Sequence, residues 1–241
     1  MTLEQKLNLY TLPELKQIAS KIDIPPRRSK SEMIKNIVEI LREYEDYKKE
    51  KIDKYTRYEQ LGKSGKEGTT YLVKDKKGRE YAMKTFRKTK ASSTLEKEYL
   101  LQKKASKKGI APKVYDYDVV GKWIVMEKMD KHLFHSNTIL TKKQQLELID
   151  LFNNLDEIKV FHGDANLANY MVDYDNKIRL IDYGFSKEFN TKIIKQFGDR
   201  PNYRANTISM ILKLKEHHTD PKGYKYLLRH VSDEDCKKYG I

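Results

Sequence analysis

The residues best suited to chemistry lie between His162 and Gly184, where the chain reads HGDANLAN and, twelve residues later, DYG. Asp164 and Asp182 offer carboxylates, and Asn169 offers an amide five positions after Asp164. Upstream, LGKSGKEGTTYLV gathers Gly62, Gly65 and Gly68. Glycines let backbone N–H groups approach phosphate oxygens. Lys84, in YAMK, follows Gly68 by 16 residues and supplies a compact positive charge. Each feature alone has a plain reading: an Asp/Asn-rich loop, a tight turn, one lysine in a basic chain. Their order along one chain is what raises them together above those plain readings.

These residues need elements to hold them. YLVKDKKGREYAMKTF reads as a hairpin turning at Asp75–Gly78, which puts Lys84 on the returning strand. Residues 92–108 read as a helix, KVYDYDV and WIVMEKM as strands around a turn at Gly121, and residues 141–159 as a second helix. YMVDY and IRLIDYG read as short strands, and ANTISMILKLKEH (205–217) as a buried helix. A strand-rich half thus precedes a helix-rich half, which predicts an α+β fold with two lobes.

The pattern H-x-D-x-x-x-x-N followed by D-Y-G resembles the catalytic loop and metal-binding motif of the protein-kinase superfamily. The resemblance covers about three quarters of the chain and implies a bilobal kinase-like domain over residues 55–241, with an N-lobe to about 129 and a reduced C-lobe from about 130. It implies ATP and Mg2+ as cofactors. By it, Asp164 is the base or orienting group for the acceptor hydroxyl, and Asn169 and Asp182 hold magnesium. Gly65 and Gly68 match the second and third glycines of the phosphate loop. Gly62 is displaced by one residue, and Thr70 stands where valine is usual. Lys84 grips the α and β phosphates and Ala82 lines the adenine pocket. Lys84 pairs with a helix glutamate, Glu96 or Glu98. Glu98 is favoured because Leu95, Leu101 and Ala105 share its face. Met126 is the gatekeeper, Glu127 to Met129 read the adenine edge, and Met171 forms the pocket floor; the plain alternative is that these are core methionines.

The chain departs from the family pattern in three places. Gly163 replaces the arginine that pairs with a phosphorylated activation loop, which predicts no such switch. Asn166 stands where protein serine/threonine kinases usually place lysine. About 20 residues separate DYG from the ANTISMIL helix, with no A-P-E motif and Asn206 where that helix carries aspartate, so the activation segment is expected to be short. The resemblance favours a serine/threonine kinase acting on protein. Two other readings remain: an adaptor with a degenerate nucleotide-binding core, and a small-molecule kinase or kinase of the tRNA-threonylcarbamoyl-modifying complex, groups that also carry H-G-D. The Lys- and Tyr-rich style and small C-lobe also resemble kinases of large cytoplasmic DNA viruses such as iridoviruses.

Residues 1–42 read as two short helices around an extended turn. Leu9, Leu12, Leu15, Ile18, Ala19 and Ile22 form one stripe, and Met33, Ile34, Ile37, Ile40 and Leu41 the other. Thr11 caps the first helix, Ser29 or Ser31 the second, and Pro25-Pro26 holds extended backbone between them. L-x-x-L-x-x-L-K, Ile22, Ile24 and K-x-E-M-I resemble a SAP-type helix–extension–helix motif, which implies DNA binding by phosphate contacts from Lys16, Arg27, Arg28 and Lys30. A helical hairpin that packs on protein is the alternative. Residues 43–54 are charged almost throughout and read as a linker or helix extension.

A formal net charge of +14 favours polyanionic partners, or serves solubility. The single cysteine, Cys236, excludes a disulfide within the chain and a cysteine-based zinc site, and fits a reducing intracellular compartment. Glu4, Lys6, Glu14 and Lys16 interrupt any signal-peptide core, and no apolar run reaches membrane-span length, so no membrane association is expected.

Overall fold

The computed structural model describes residues 2–21, 24–52, 54–135, 138–164, 166–189, 202–217 and 220–241. The chain divides into two compact units, Met1–Thr56 with Asp75–Lys77, and Arg57–Lys74 with Gly78–Ile241.

The first unit holds three helices: α1 (Leu3–Leu7), α2 (Leu12–Lys21) and α3 (Lys30–Ile52). The single first helix expected from the leucine stripe is in fact broken. Thr2 and Gln5 form a reciprocal capping box that starts α1, and the chain turns before Leu12. Leu9 falls in that turn and is 74% exposed, so it does not join the stripe. Thr11 caps α2 differently from expectation: its N–H and hydroxyl both donate to Glu14 Oε2, at 2.7 and 2.8 Å. Ser29, rather than Ser31, caps α3, accepting from Glu32 N and donating its own N–H to the Glu32 carboxylate. Leu15, Ala19, Ile24, Met33, Ile34 and Ile37 form the core of this unit. Ile22 lies outside the described residues. The charged span after residue 42 continues α3 to Ile52, so it is a helix extension.

A five-stranded sheet, all of it but Tyr55, Thr56 and Asp75 in the second unit, runs in the order β1-β2-β3-β5-β4, made of β1 (Tyr55–Gln60), β2 (Gly68–Asp75), β3 (Glu80–Phe86), β4 (Val114–Asp118) and β5 (Trp123–Met126). The β2–β3 hairpin pairs Thr70 with Lys84, and β5 places Ile124 on the other side of Lys84. Helix α4 (Ser92–Ser106) buries Leu95, Glu98, Leu101 and Ala105 on one face. Leu95 and Tyr99 pack with Ala82, Phe86, Ile124 and Met126 of the sheet. Burying a side chain such as Leu95 stabilises by about 1.5–3 kcal/mol, so this seam fixes the distance from helix to sheet.

The remaining half packs around α5 (Lys142–Glu157), which Thr141 and Gln144 cap with a second reciprocal box. Leu148, Phe152 and Leu155 meet Tyr170, Leu180, Ile211 and Leu214 in one core. Helices α6 (Asn202–His217), α7 (Lys225–Leu228) and α8 (Asp233–Tyr239) complete it. Two small ladders matter most. One joins β6 (Lys131–His132), β8 (Tyr170–Val172) and β9 (Ile178–Leu180); the other joins β7 (Val160–Phe161) and β10 (Lys187–Glu188). The HGD loop runs between β7 and β8, and the DYG turn between β9 and β10, so each leaves and re-enters paired strands. The span from 190 to 201, where a shortened activation segment is expected, lies outside the described residues. Among the described residues, no helix is long and apolar enough to cross a membrane.

Candidate active site

Lys84 is the centre of the site. Its Nζ lies 2.7 Å from Glu98 Oε1 on α4 and 2.7 Å from Asp182 Oδ1 in the DYG turn. Burial works against the Lys84 charge, but the two carboxylates outweigh it and lift its pKa above the usual lysine value. Burial likewise opposes ionisation of Asp182, yet Lys84 and the Gly184 N–H hold its carboxyl below the ordinary range. Lys84 and Asp182 are therefore both charged at neutral pH. Glu98 is buried while Glu96 is exposed, so of the two helix glutamates it is Glu98 that meets Lys84.

The glycine cluster folds into a turn ahead of β2. Gly62 has φ +72°, and Gly65 N donates to Gly68 O at 2.8 Å. A Cβ on Gly68 would lie 2.2 Å from Thr85 O. The glycine there is needed for the close approach of β2 to β3, a reason independent of phosphate. In the region expected to hold adenine, Ala82 is buried opposite Met126, Met129 is buried, and Met171 is half-buried in β8. Glu127 N–H donates to Lys113 O at 2.8 Å, so this donor is already engaged.

The HGDANLAN loop is held by its own side chains. Asp164 Oδ1 accepts from Asn166 N, and Asn166 Oδ1 accepts from Ala168 N, each at 3.0 Å. Asn166 is thereby committed to shaping the loop. Asn169 N donates to Asn166 O, and Asn169 O accepts from Ile181 N at 2.8 Å, next to Asp182. The Asn169 side chain is buried, and its Nδ2 has no hydrogen-bond partner. An unpaired buried N–H donor fits a position completed by an acceptor atom of a bound ligand, and a cation would be met by the amide oxygen instead. Asp182 itself has φ 64° and ψ 74°. A non-glycine residue in this region costs of order 1–3 kcal/mol and is concentrated at functional sites.

His162 ties the two loops together. It is buried, with Nδ1 3.0 Å from Asp164 O and Nε2 3.0 Å from Ile181 O. Burial pushes its pKa down despite both carbonyl contacts, so the ring is neutral near pH 7 and donates its one N–H to one of the two. Tyr183 is fully buried and stands edge-on to His162, ring centroids 4.9 Å apart. Ser186 Oγ adds a further tie, donating to His162 O at 3.0 Å.

Gly163, which the sequence marks as a missing arginine, has a structural requirement of its own. Its φ is +80°, and a Cβ would meet Phe185 O at 2.8 Å. Gly163→Ala is expected to destabilise the protein by about 1–3 kcal/mol, measured by urea unfolding, and to lower any loop-dependent activity. A wild-type midpoint in that variant would refute the steric argument. Two other site residues escaped the sequence reading altogether. Glu67 and Lys90 stand beside Glu98, with Lys90 Nζ 2.7 Å from Glu67 Oε2 and 2.5 Å from Glu98 Oε2.

A family model described as protein kinase domain matches residues 55–222. The chain belongs to the protein kinase family. No curated protein matches it. The matched span of the kinase begins at the first residue of β1 and includes Lys84, Glu98, Asp164, Asn169 and Asp182. Membership makes the chain a phosphotransferase of kinase type with the sheet-rich lobe ahead of the helical one. Residues 1–54 lie outside the match.

Proposed function

We propose that this kinase transfers the γ-phosphate of ATP to a serine or threonine hydroxyl on protein, with magnesium. The observation that carries the reading is the Lys84 ammonium held 2.7 Å from both Glu98 and Asp182. Lys84 meets the phosphates as a point charge, and Glu98 keeps it aimed. Asp182 and Asn169 are the oxygen donors for magnesium, whose charge offsets that building on the phosphoryl oxygens. Asp164 orients the acceptor hydroxyl and takes its proton as the new phosphorus–oxygen bond forms and ADP departs. The adenine lies against Ala82, Met126, Met129 and Met171. Catalysis is then positioning and charge neutralisation, without a covalent intermediate.

The decisive test is radiolabelled ATP offered to a peptide array, with free metabolites and tRNA complexes as competing acceptors. Label on serine or threonine peptides is expected; label confined to small molecules or RNA complexes would replace the acceptor class. Asp182→Ala is expected to abolish the magnesium dependence of ATP binding in calorimetry run with and without the ion. An unchanged dependence would remove Asp182 from the metal site.

The helical unit at the N-terminus adds a DNA-binding reading. Arg27 and Arg28 are exposed and line, with Pro26, Lys35 and Asn36, a groove of about 490 Å³ at the start of α3. Glu32 and Glu39 line the same groove, and the Lys30 ammonium is engaged by Asn8 O at 2.9 Å. The phosphate contacts rest on Arg27, Arg28 and the exposed Lys16, with Lys30 keeping two further N–H donors beyond the one given to Asn8 O. The double variant Arg27→Ala/Arg28→Ala is expected to weaken duplex binding and to flatten its salt dependence by about two units of log–log slope. An unaltered slope would remove DNA from the assignment.

A further inference from the structure

Lys90 lies in the loop between β3 and α4. Its side chain is 7% exposed, in a chain whose lysines are mostly on the surface. Lysines are almost never buried unless paired, because an uncompensated ammonium is costly to remove from water. Lys90 is paired twice, with Glu98 Oε2 and with Glu67 Oε2. Its Nζ also sits 4.3 Å from the centroid of the Phe86 ring, which Lys84 Nζ approaches at 5.0 Å. The Glu98 carboxylate is thus divided, with Oε1 on Lys84 and Oε2 on Lys90. A carboxylate gripped at both oxygens has one orientation left to it.

Glu67 brings the glycine-rich turn into the same cluster. Its backbone carbonyl accepts from Arg87 N at 2.9 Å, and its Oε2 lies 2.6 Å from where a Cβ on Gly184 would be. Carboxylate oxygens of Glu67, Glu98 and Asp182 all fall within 4.8 Å of one another. Two ammoniums, Lys84 and Lys90, compensate three carboxylates. With Lys90 neutralised, one ammonium would face three carboxylates, and the partly exposed Glu67 is the member free to leave.

We propose that Lys90 is a positioning residue that straps the glycine-rich turn to helix α4, through Glu67 on one side and Glu98 on the other, so that the phosphate-facing turn and the Lys84–Glu98 pair are set together. The proposal rests on the nucleotide-binding reading above for its consequence, but the strap itself does not need nucleotide. It explains why the turn carries an acidic residue in a place meant for phosphate. Glu67 is neutralised by Lys90 and acts as a tether.

The test uses the full chain as Lys90→Met, Lys90→Arg and Glu67→Gln. Hydrogen exchange without nucleotide is expected to speed up in both residues 62–70 and the first turns of α4 for Lys90→Met. In Glu67→Gln it should speed up in the turn alone, and Lys90→Arg should recover most protection in both. Magnesium–ATP affinity by calorimetry should fall about tenfold in Lys90→Met, the size of coupling seen for directly paired groups, and recover in Lys90→Arg. Glu67 is on a partly exposed loop, so Glu67→Gln keeps the test alive if Lys90→Met does not fold. Unchanged exchange in both Lys90→Met and Glu67→Gln, or an Lys90→Arg protein no better than Lys90→Met, would overturn the strap. A wild-type protein that fails to bind magnesium–ATP would instead overturn the nucleotide reading, with the exchange data still deciding the strap.

Discussion

Asp164→Ala is expected to lower phosphate transfer by about 100- to 10,000-fold, the range for removing a positioned general base, while ATP binding stays within twofold of wild type (about 0.4 kcal/mol). The reasoning is local. In the structure Asp164 makes its side-chain contact with Asn166 N, whereas the Lys84 ammonium is held by Glu98 and Asp182. Removing that carboxylate leaves one backbone N–H near solvent without its acceptor, a loss of about 0.5–1.5 kcal/mol. The loop should therefore persist, held by His162 and by Asn169 O. Asp164→Asn retains an oxygen acceptor for Asn166 N but cannot take a proton, so it should fold like wild type and transfer as poorly as Asp164→Ala. Parallel binding and single-turnover measurements separate the two effects. Undiminished transfer in either variant would remove Asp164 from the chemistry.

The second large effect concerns stability. Glu98→Ala is expected to destabilise the protein by about 3 kcal/mol, at the low end of the range for breaking a buried ion pair. The Glu98 side chain is 1% exposed, and its loss deprives both Lys84 and Lys90 of their buried partner. Asp182 and Glu67 remain to each, which is why the upper end of the range is not reached. Glu96→Ala, two residues away on the exposed face of α4, should change stability by no more than about 0.5 kcal/mol. Urea unfolding of the pair is a direct comparison, and equal midpoints would contradict the burial argument. The lost pairing should also reduce nucleotide affinity, because Lys84 would then be held from the Asp182 side alone.

What could be read from the sequence was local or periodic. The β2–β3 hairpin announces itself by the Asp75–Gly78 turn between two strand-like runs, and α5 reads as a helix over 141–159, close to its Lys142–Glu157 bounds. Asp164, Asn169 and Asp182 are legible as types at a spacing. Glu98 follows from a face shared with Leu95, Leu101 and Ala105. The misreadings have a common cause in periodicity that cannot see where a helix stops. Leu9 has the spacing of the α2 stripe, yet the Thr2–Gln5 box starts a separate helix and the chain turns at Leu9. That box was visible and was the better signal. Lys90 and Glu67 were not legible, because 23 residues separate them and neither carries a pattern; only the folded sheet brings them together. Gly163 was legible as an absent side chain, but the Phe185 carbonyl that forbids one is 22 residues downstream.

Two stretches of chain that are distant in sequence flank the same imidazole, the carbonyl of Asp164 at one ring nitrogen and that of Ile181 at the other, with a single N–H between them to donate. The HGD loop and the DYG turn consequently share a fate. Damage at this ring should silence both together, rather than leaving a protein that grips nucleotide but cannot deliver it. Inactivation by mild denaturant should then follow a single step, however many assays are used to watch it.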